Sequence, residues 1–341
     1  MREIIILVFF VSILSESCTH GDTERFPRTI SLKGSIPEIE KVFLQGLVHI
    51  YDSLLILTNT PKSEKQIHLF NKNTYNYICS NGSTGRGPGE ISNPFSTDIE
   101  KDNGIIWFMD QGKKRFWKFS IGDISINQDY KPTEFIPIEA RQVIIYFSHY
   151  RDNLFYYVNE DPSILASFFD IRGNLQEELQ LNNEIGLYSS KDLFYQNIRT
   201  LLYYFINHHP VKQLFVVTYR YSDLIVIVDD KGGIKFSSRE LYHDLDVPDL
   251  NSDQRIRLVS YVRSNEKFIY RLYNSNAENS ESLKDISMKE IHIYNWEAKP
   301  VAKINLDHEV FSFDIDYENG RIVTFSKEAG IVYYELPKNL Y

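Results

Sequence analysis

Four sets of residues in this chain have the types and spacing from which chemistry could be built. Gly85-Arg-Gly-Pro-Gly-Glu90 joins one guanidinium to a glycine-rich backbone, so N–H groups at Gly87 and Gly89, with Arg86, could cradle a carboxylate or phosphate. The stretch lacks the Gly-Lys-Ser/Thr ending of a phosphate loop, and glycines more often serve where a chain passes close to neighbouring backbone. Lys113, Lys114 and Arg115, with Arg220, Tyr221 and Asp223, could complete a basic pocket with Arg86, although charge clustered in short loops is more often solvated surface. His243 stands beside Asp244, Asp246 and Asp249, and His308 between Asp307 and Glu309. Such groups can hold a divalent cation or act as acid and base. Their spacing fixes no ligand set, so they are weak candidates and no metal is assigned.

The fourth set is Cys18. Met1-Arg2 and the apolar run Ile4–Leu14 read as a secretory leader, since about 11 residues of apolar helix are too short to span a bilayer. Leu14-Ser-Glu-Ser-Cys18 follows and resembles a bacterial lipobox, although Leu14 lies one residue too far from the cysteine and Glu16 is an unusual neighbour. The expectation is a lipoprotein signal over 1–17, lipidation at Cys18, a tether over 18–25 and a folded domain over 26–341. Ordinary cleavage near Ser17 is the alternative. Cys79, the second of two cysteines, is then a lone buried thiol, and no disulfide framework exists.

The elements that must position these groups come from repetition. Phe95-Ser-Thr-Asp-Ile-Glu-Lys-Asp-Asn-Gly-Ile-Ile106 and Phe311-Ser-Phe-Asp-Ile-Asp-Tyr-Glu-Asn-Gly-Arg-Ile322 are nearly the same segment, as are Lys65–Asn71 and Lys289–Asn295. Turn chemistry recurs near residues 52, 103, 152, 210, 265 and 319, and Asn-Gly in particular suits a type I′ hairpin. Each turn is followed by apolar runs at Leu54, Ile105, Leu154, Leu214, Phe268 and Ile322, then by a third and usually a fourth run. Units of this length with four antiparallel strands are propeller blades. The reading is all-β: a six-bladed β-propeller with four-stranded antiparallel blades. The sixth unit lacks a strand, and Pro27–Lys33 is expected to pair outside blade six and close the ring. The alternative is a free N-terminal arm. Aromatic content of 14% agrees with extended structure.

These repeats, with Gly85-Arg-Gly-Pro-Gly-Glu90 and Asn93-Pro94 leading into the Phe95 strand, resemble six-bladed propeller lipoproteins of the TolB-like and NHL-like group common in Bacteroidetes. The resemblance covers about residues 26–338 and implies an exported protein of the cell envelope, anchored in the outer membrane by lipid. It implies no particular activity, and Ile91 stands where that group usually has an aromatic residue.

Strand direction sorts the loops. Blade-to-blade links and the loops between second and third strands share one face, here the link face; the tight turns lie on the opposite, turn face. The link face carries the glycine loop, the basic clusters, His243, His308 and three insertions, Asn182–Thr200, Tyr242–Arg257 and Asn274–Glu290. His68 and His292 hold equivalent third-strand positions, which points to packing. No serine elbow, His-Glu-x-x-His, Cys-x-x-Cys or dinucleotide fingerprint is present, and no cofactor is expected. A net charge of −9 argues against nucleic acid as a partner. The expected function is a monomeric, non-enzymatic module binding a protein or small ligand on the link face, with the membrane touched only through the lipid. The alternative is a lyase, hydrolase or lactonase using His243 or His308.

Overall fold

Strands that read as unbroken apolar runs are those buried on both sides. In Ile105–Met109, Ile105, Trp107 and Met109 pack toward one neighbouring blade while Ile106 and Phe108 pack toward the other, because successive side chains on a strand point to opposite faces. The structure, a computed structural model, describes residues 26–39, 43, 45–60, 63–138, 144, 146–158, 164–180, 204–220, 223–238, 259–276 and 288–341. The leader, Cys18, Tyr221, His243, two insertions (182–200 and 242–257) and 277–287 of the third lie outside them.

β1 (Thr29–Leu32) precedes the ring. Blade one comprises β2 (Leu47–Tyr51), β3 (Leu54–Thr58), β4 (Lys65–Asn71) and β5 (Tyr77–Ser83). Blade two has β6 (Pro94–Glu100), β7 (Ile105–Asp110), β8 (Arg115–Ser120) and β9 (Phe135–Pro137). Blade three runs β10 (Tyr146–Arg151), β11 (Leu154–Val158), β12 (Ile164–Asp170) and β13 (Leu175–Gln180), and blade four β14 (Tyr204–His208), β15 (Leu214–Tyr219), β16 (Ile225–Asp229) and β17 (Ile234–Ser237). Blade five holds β18 (Val259–Ser264), β19 (Phe268–Asn274), β20 (Met288–Asn295) and β21 (Pro300–Leu306), and blade six β22 (Val310–Asp316), β23 (Arg321–Ser326) and β24 (Gly330–Glu335). Among the described residues the buried apolar side chains form one cluster at each junction between neighbouring blades, including six with one. The core is therefore a ring of inter-blade layers.

Turn chemistry explains the repeat. At the turns after the third strands, Asn71, Asp170, Asp229 and Asn295 each accept two backbone N–H groups from the following residues, an Asx arrangement that fixes the hairpin. The Asn-Gly turns differ from expectation. Glu100 pairs with Ile105 and Asp316 with Arg321, leaving four-residue loops in which the glycines alone turn left-handed, with φ of 62° at Gly104 and 64° at Gly320. A second surprise is α1 (Ile121–Ile126), between β8 and β9, whose Ser120 hydroxyl accepts the Asp123 N–H as N-cap and whose Ile121 and Ile124 are buried. Buried Cys79 lies against it, its Sγ 3.3 Å from the carbonyl of Ile124.

The N-terminal strand closes the ring, but it straddles the seam. β1 runs parallel to β21 of blade five, Thr29 opposite Lys303 through Leu32 opposite Leu306. Among the described residues, its pairing with blade six is the antiparallel bridge of Ser35 to Tyr333. Sequence favours this course: Ile30 and Leu32 drop into the layer between blades five and six, Gly34 crosses where a Cβ would lie 2.5 Å from Val332, and Pro37 then lacks the N–H needed to extend the ladder.

Candidate functional site

The glycine loop is held against blade two through its polar atoms at Gly87 and Glu90. Glu90 Oε2 accepts the Gly87 N–H at 2.8 Å, and Lys131 Nζ stands 3.2 Å from Glu90 Oε1. Gly87's N–H, with Lys131 beside it, keeps the Glu90 carboxyl below the usual carboxylate range. The anion in this cradle is thus the chain's own Glu90. Gly89, at φ 69°, sits so close to Lys131 that a Cβ would lie 2.7 Å from its side chain, which is why glycine is required there.

Lys113 ties the second loop to the first, its ammonium donating to the carbonyls of Gly87 at 2.6 Å and Glu90 at 2.7 Å. Beneath it Asp110, fully buried, accepts from the Ser92 N–H and hydroxyl, the Asn93 N–H and the Lys113 N–H. Burial raises the Asp110 carboxyl, but these four donors outweigh it and the pKa falls. Lys114 occupies the left-handed region at φ 51° and is exposed. The Arg115 guanidinium lies 4.1 Å from the Phe135 ring centroid and 4.9 Å from that of Trp117, a cation–π arrangement. Arg86 is exposed on the same rim.

The remaining expected members go elsewhere. Arg220 and Asp223, at the far side of the ring, are tied to blade five: the Arg220 carbonyl accepts the Val259 N–H, and the Asp223 carbonyl accepts from Arg271. They do not extend the blade-two cluster. His308 Nδ1 lies 2.8 Å from Asp307 Oδ1, which also accepts the Gly34 N–H; the pair belongs to the ring seam. His68 and His292 pack as the repeat implied, His68 on Phe43 at 4.3 Å and His292 on Tyr273 at 4.1 Å.

The family described as TolB-like 6-blade propeller-like matches residues 38–318. The chain belongs to this family. Several solved structures share the fold of this TolB-like propeller. A DUF4221-family member from Bacteroides vulgatus ATCC 8482 has a TM-score of 0.59 at 11% identity over 89% of this chain and 95% of that one. A protein of Bacteroides fragilis NCTC 9343 assigned as exported gives 0.55 at 11% identity over 90% and 98%. The propeller domain of Cps50 (Swd1) from Myceliophteria thermophila gives 0.51 at 10% identity over 89% and 100%. No curated protein matches the sequence.

The TolB-like ring has a second polar region, near its axis, that sequence reading missed. Arg263 of β18 reaches from blade five over blade six to blade one: its Nε lies 3.4 Å from Asp314 Oδ1, and its Nη2 contacts the Tyr261 hydroxyl and lies 3.4 Å from His49 Nδ1. His49 Nε2 is in turn within hydrogen-bond reach of Thr58 and Thr97. Across the ring Asp98 accepts the Ser148 hydroxyl and the His149 N–H, both at 2.8 Å. Burial, then the Arg263 charge, holds His49 down to about 3, while burial pushes Tyr261 up to about 12. Neither can exchange a proton near neutrality, so this network suits cross-bracing better than acid–base work. Asp98 and Asp314 were visible as identities in the repeat. Arg263 had no local signal.

Proposed function

We propose that this protein is an exported, lipid-anchored, non-catalytic interaction module of the cell envelope, displaying a partner site on the link face of a rigid propeller. The observation that carries this reading is the cross-tie at the junction of blades one and two, where Lys113 and Asp110 lock two loops together. Locked loops keep Arg86, Lys114 and Arg115 in fixed places, which lowers the ordering cost of binding. The leader and Cys18 support export and lipidation, as does membership of the TolB-like family, and the ring stands eight residues beyond Cys18 at Phe26. Eight extended residues reach about 28 Å, enough to tether the ring close to a bilayer.

Two measurements test the two halves. Radiolabelled palmitate should enter the native protein and not the Cys18→Ser variant, which should also leave the membrane fraction; equal labelling removes the anchor. Photo-crosslinkers placed at Arg86, Lys114 and Asn276 in the native envelope should trap a partner, and a chain that yields no adduct from any link-face position is not an interaction module.

A further inference from the structure

The basic rim of blade two departs from the rest of the chain in charge. Within residues 85–93, 110–118 and 131–137 there are six cations against three carboxylates, in a protein of net charge −9. Of those carboxylates, Asp110 is buried among its donors, Glu90 is neutralised by Lys131, and Glu134 pairs with Lys118 at 2.9 Å. These segments are therefore more basic than the chain as a whole, and they belong to a surface whose loops are already cross-tied.

Its aromatic member narrows the choice of partner. Phe135 is 42% exposed, yet Arg115 lies over its ring and Trp117 packs against it at 5.5 Å, nearly perpendicular. With the Arg115 guanidinium over one face, the ring offers less stacking surface to a sugar, whereas its exposed carbon suits an aliphatic side chain. The surface so favours a carboxylate next to an apolar side chain over an anionic glycan.

Position on the ring supplies the third argument. The N-terminal segment docks on blade five, with Phe26 4.6 Å from His292 and β1 on β21. In a ring of six, blade two is opposite blade five. An anchor reaching the ring at blade five leaves the blade-two rim on the far side, so lipid headgroups of the anchoring leaflet are poorly placed to fill it.

We propose that the link-face rim formed by Arg86, Lys114, Arg115 and Phe135 is a docking surface for an acidic segment of a protein partner in which Asp or Glu alternates with aliphatic residues. This deepens, and rests on, the reading as an interaction module. The carboxylates pair with Lys114, Arg86 and the Arg115 fork, and the aliphatic side chains cover the exposed part of Phe135.

Fluorescence anisotropy on the full chain in detergent tests it, with a labelled ten-residue peptide of alternating Glu and Leu as probe and its Lys-Leu counterpart and polygalacturonate as comparisons. Binding of the Glu-Leu peptide should weaken about ten-fold between 50 and 200 mM salt and about ten-fold again in Arg115→Gln. Lys114→Glu, at an exposed position, gives the same answer should Arg115→Gln disturb the Trp117 stack, and Lys299→Gln on blade five should change nothing. Equal binding of the Lys-Leu peptide, insensitivity to both blade-two variants, or site-dependent binding of polygalacturonate alone would each overturn the proposal. A partner crosslinked only at Asn276 would overturn it too, while leaving the interaction-module reading standing.

Discussion

The carboxylate of Asp314, on the innermost strand of blade six, accepts the backbone N–H of Ile50 in blade one at 2.8 Å. Asp98 of blade two does the same for His149 of blade three. The two aspartates hold the same place in the repeated segment, so the repeat encodes a staple between consecutive inner strands. At Asp314 the staple joins the last blade to the first and also carries the Arg263 contact.

Removing that staple should be costly. Asp314→Ala removes the carboxylate counter-ion of the partly buried Arg263 and the acceptor of the buried Ile50 N–H, an expected loss of about 3 kcal/mol in urea unfolding. Replacing Asp98, whose charge reaches Arg263 without a direct ion pair among the described residues, by Ala should cost about 1–3 kcal/mol. Equal losses would show that Arg263 adds nothing to the seam.

Stability should also fall with mild acid, through buried histidines. His49 is held down to about 3 by burial and then by Arg263, and His292 to about 4 by burial, against the support of Glu290. Both are neutral in the fold, whereas in the unfolded chain they take up protons below pH 6.5. Stability is therefore full above pH 6.5 and declines as pH falls toward the folded values, by about 2 kcal/mol per histidine at pH 5. Asp314 acts lower: its folded pKa is depressed because Lys101, Arg263 and the Ile50 N–H outweigh burial. Its contribution is present above about pH 3.9 and lost as pH falls through the folded value. Denaturation midpoints from pH 7.5 to 4.5 should be flatter in His49→Gln than in the native chain, and parallel curves would contradict the assignment.

The strap over the seam makes a third prediction. Deleting residues 26–35 removes the Phe26 contact, the β1 pairing and the burial of Ile30 and Leu32. The half-buried Ile30 and Leu32 alone are worth about 2 kcal/mol, so the melting temperature should drop well below that of the native chain. A truncated protein melting within a degree of it would mean the ring closes without help.

What could be read from sequence was what repeats locally. Apolar runs such as Ile105–Met109 announce strands because both faces are buried, and the Asn-Gly pairs at 103–104 and 319–320 announce turns because glycine adopts the left-handed backbone there. Ile121–Ile126 escaped because one helical turn and a half leaves too few apolar positions to show a period. The Asp314–Ile50 staple and the Arg263–His49 contact escaped because they join residues more than 200 apart. The Glu90 plug escaped for a subtler reason: glycines and a carboxylate in one loop look like an empty nest plus a solvated charge until the loop's path is known.

That plug supplies the last prediction. Glu90 occupies the cradle that Gly87 and Lys131 would otherwise offer to an external anion. Glu90→Ala should free the Gly87 N–H and the Lys131 ammonium together, while the two Lys113 bonds to loop carbonyls hold the loop in place. The variant should then gain an anion site that the native chain lacks. Sulfate stabilises most proteins by exclusion from their surface, so the comparison must be with the native chain at matched ionic strength. The variant should show an additional, saturable rise in melting temperature with sulfate over chloride, abolished by Lys131→Gln. An identical sulfate response in both proteins would mean that the carboxylate is not what keeps the nest closed.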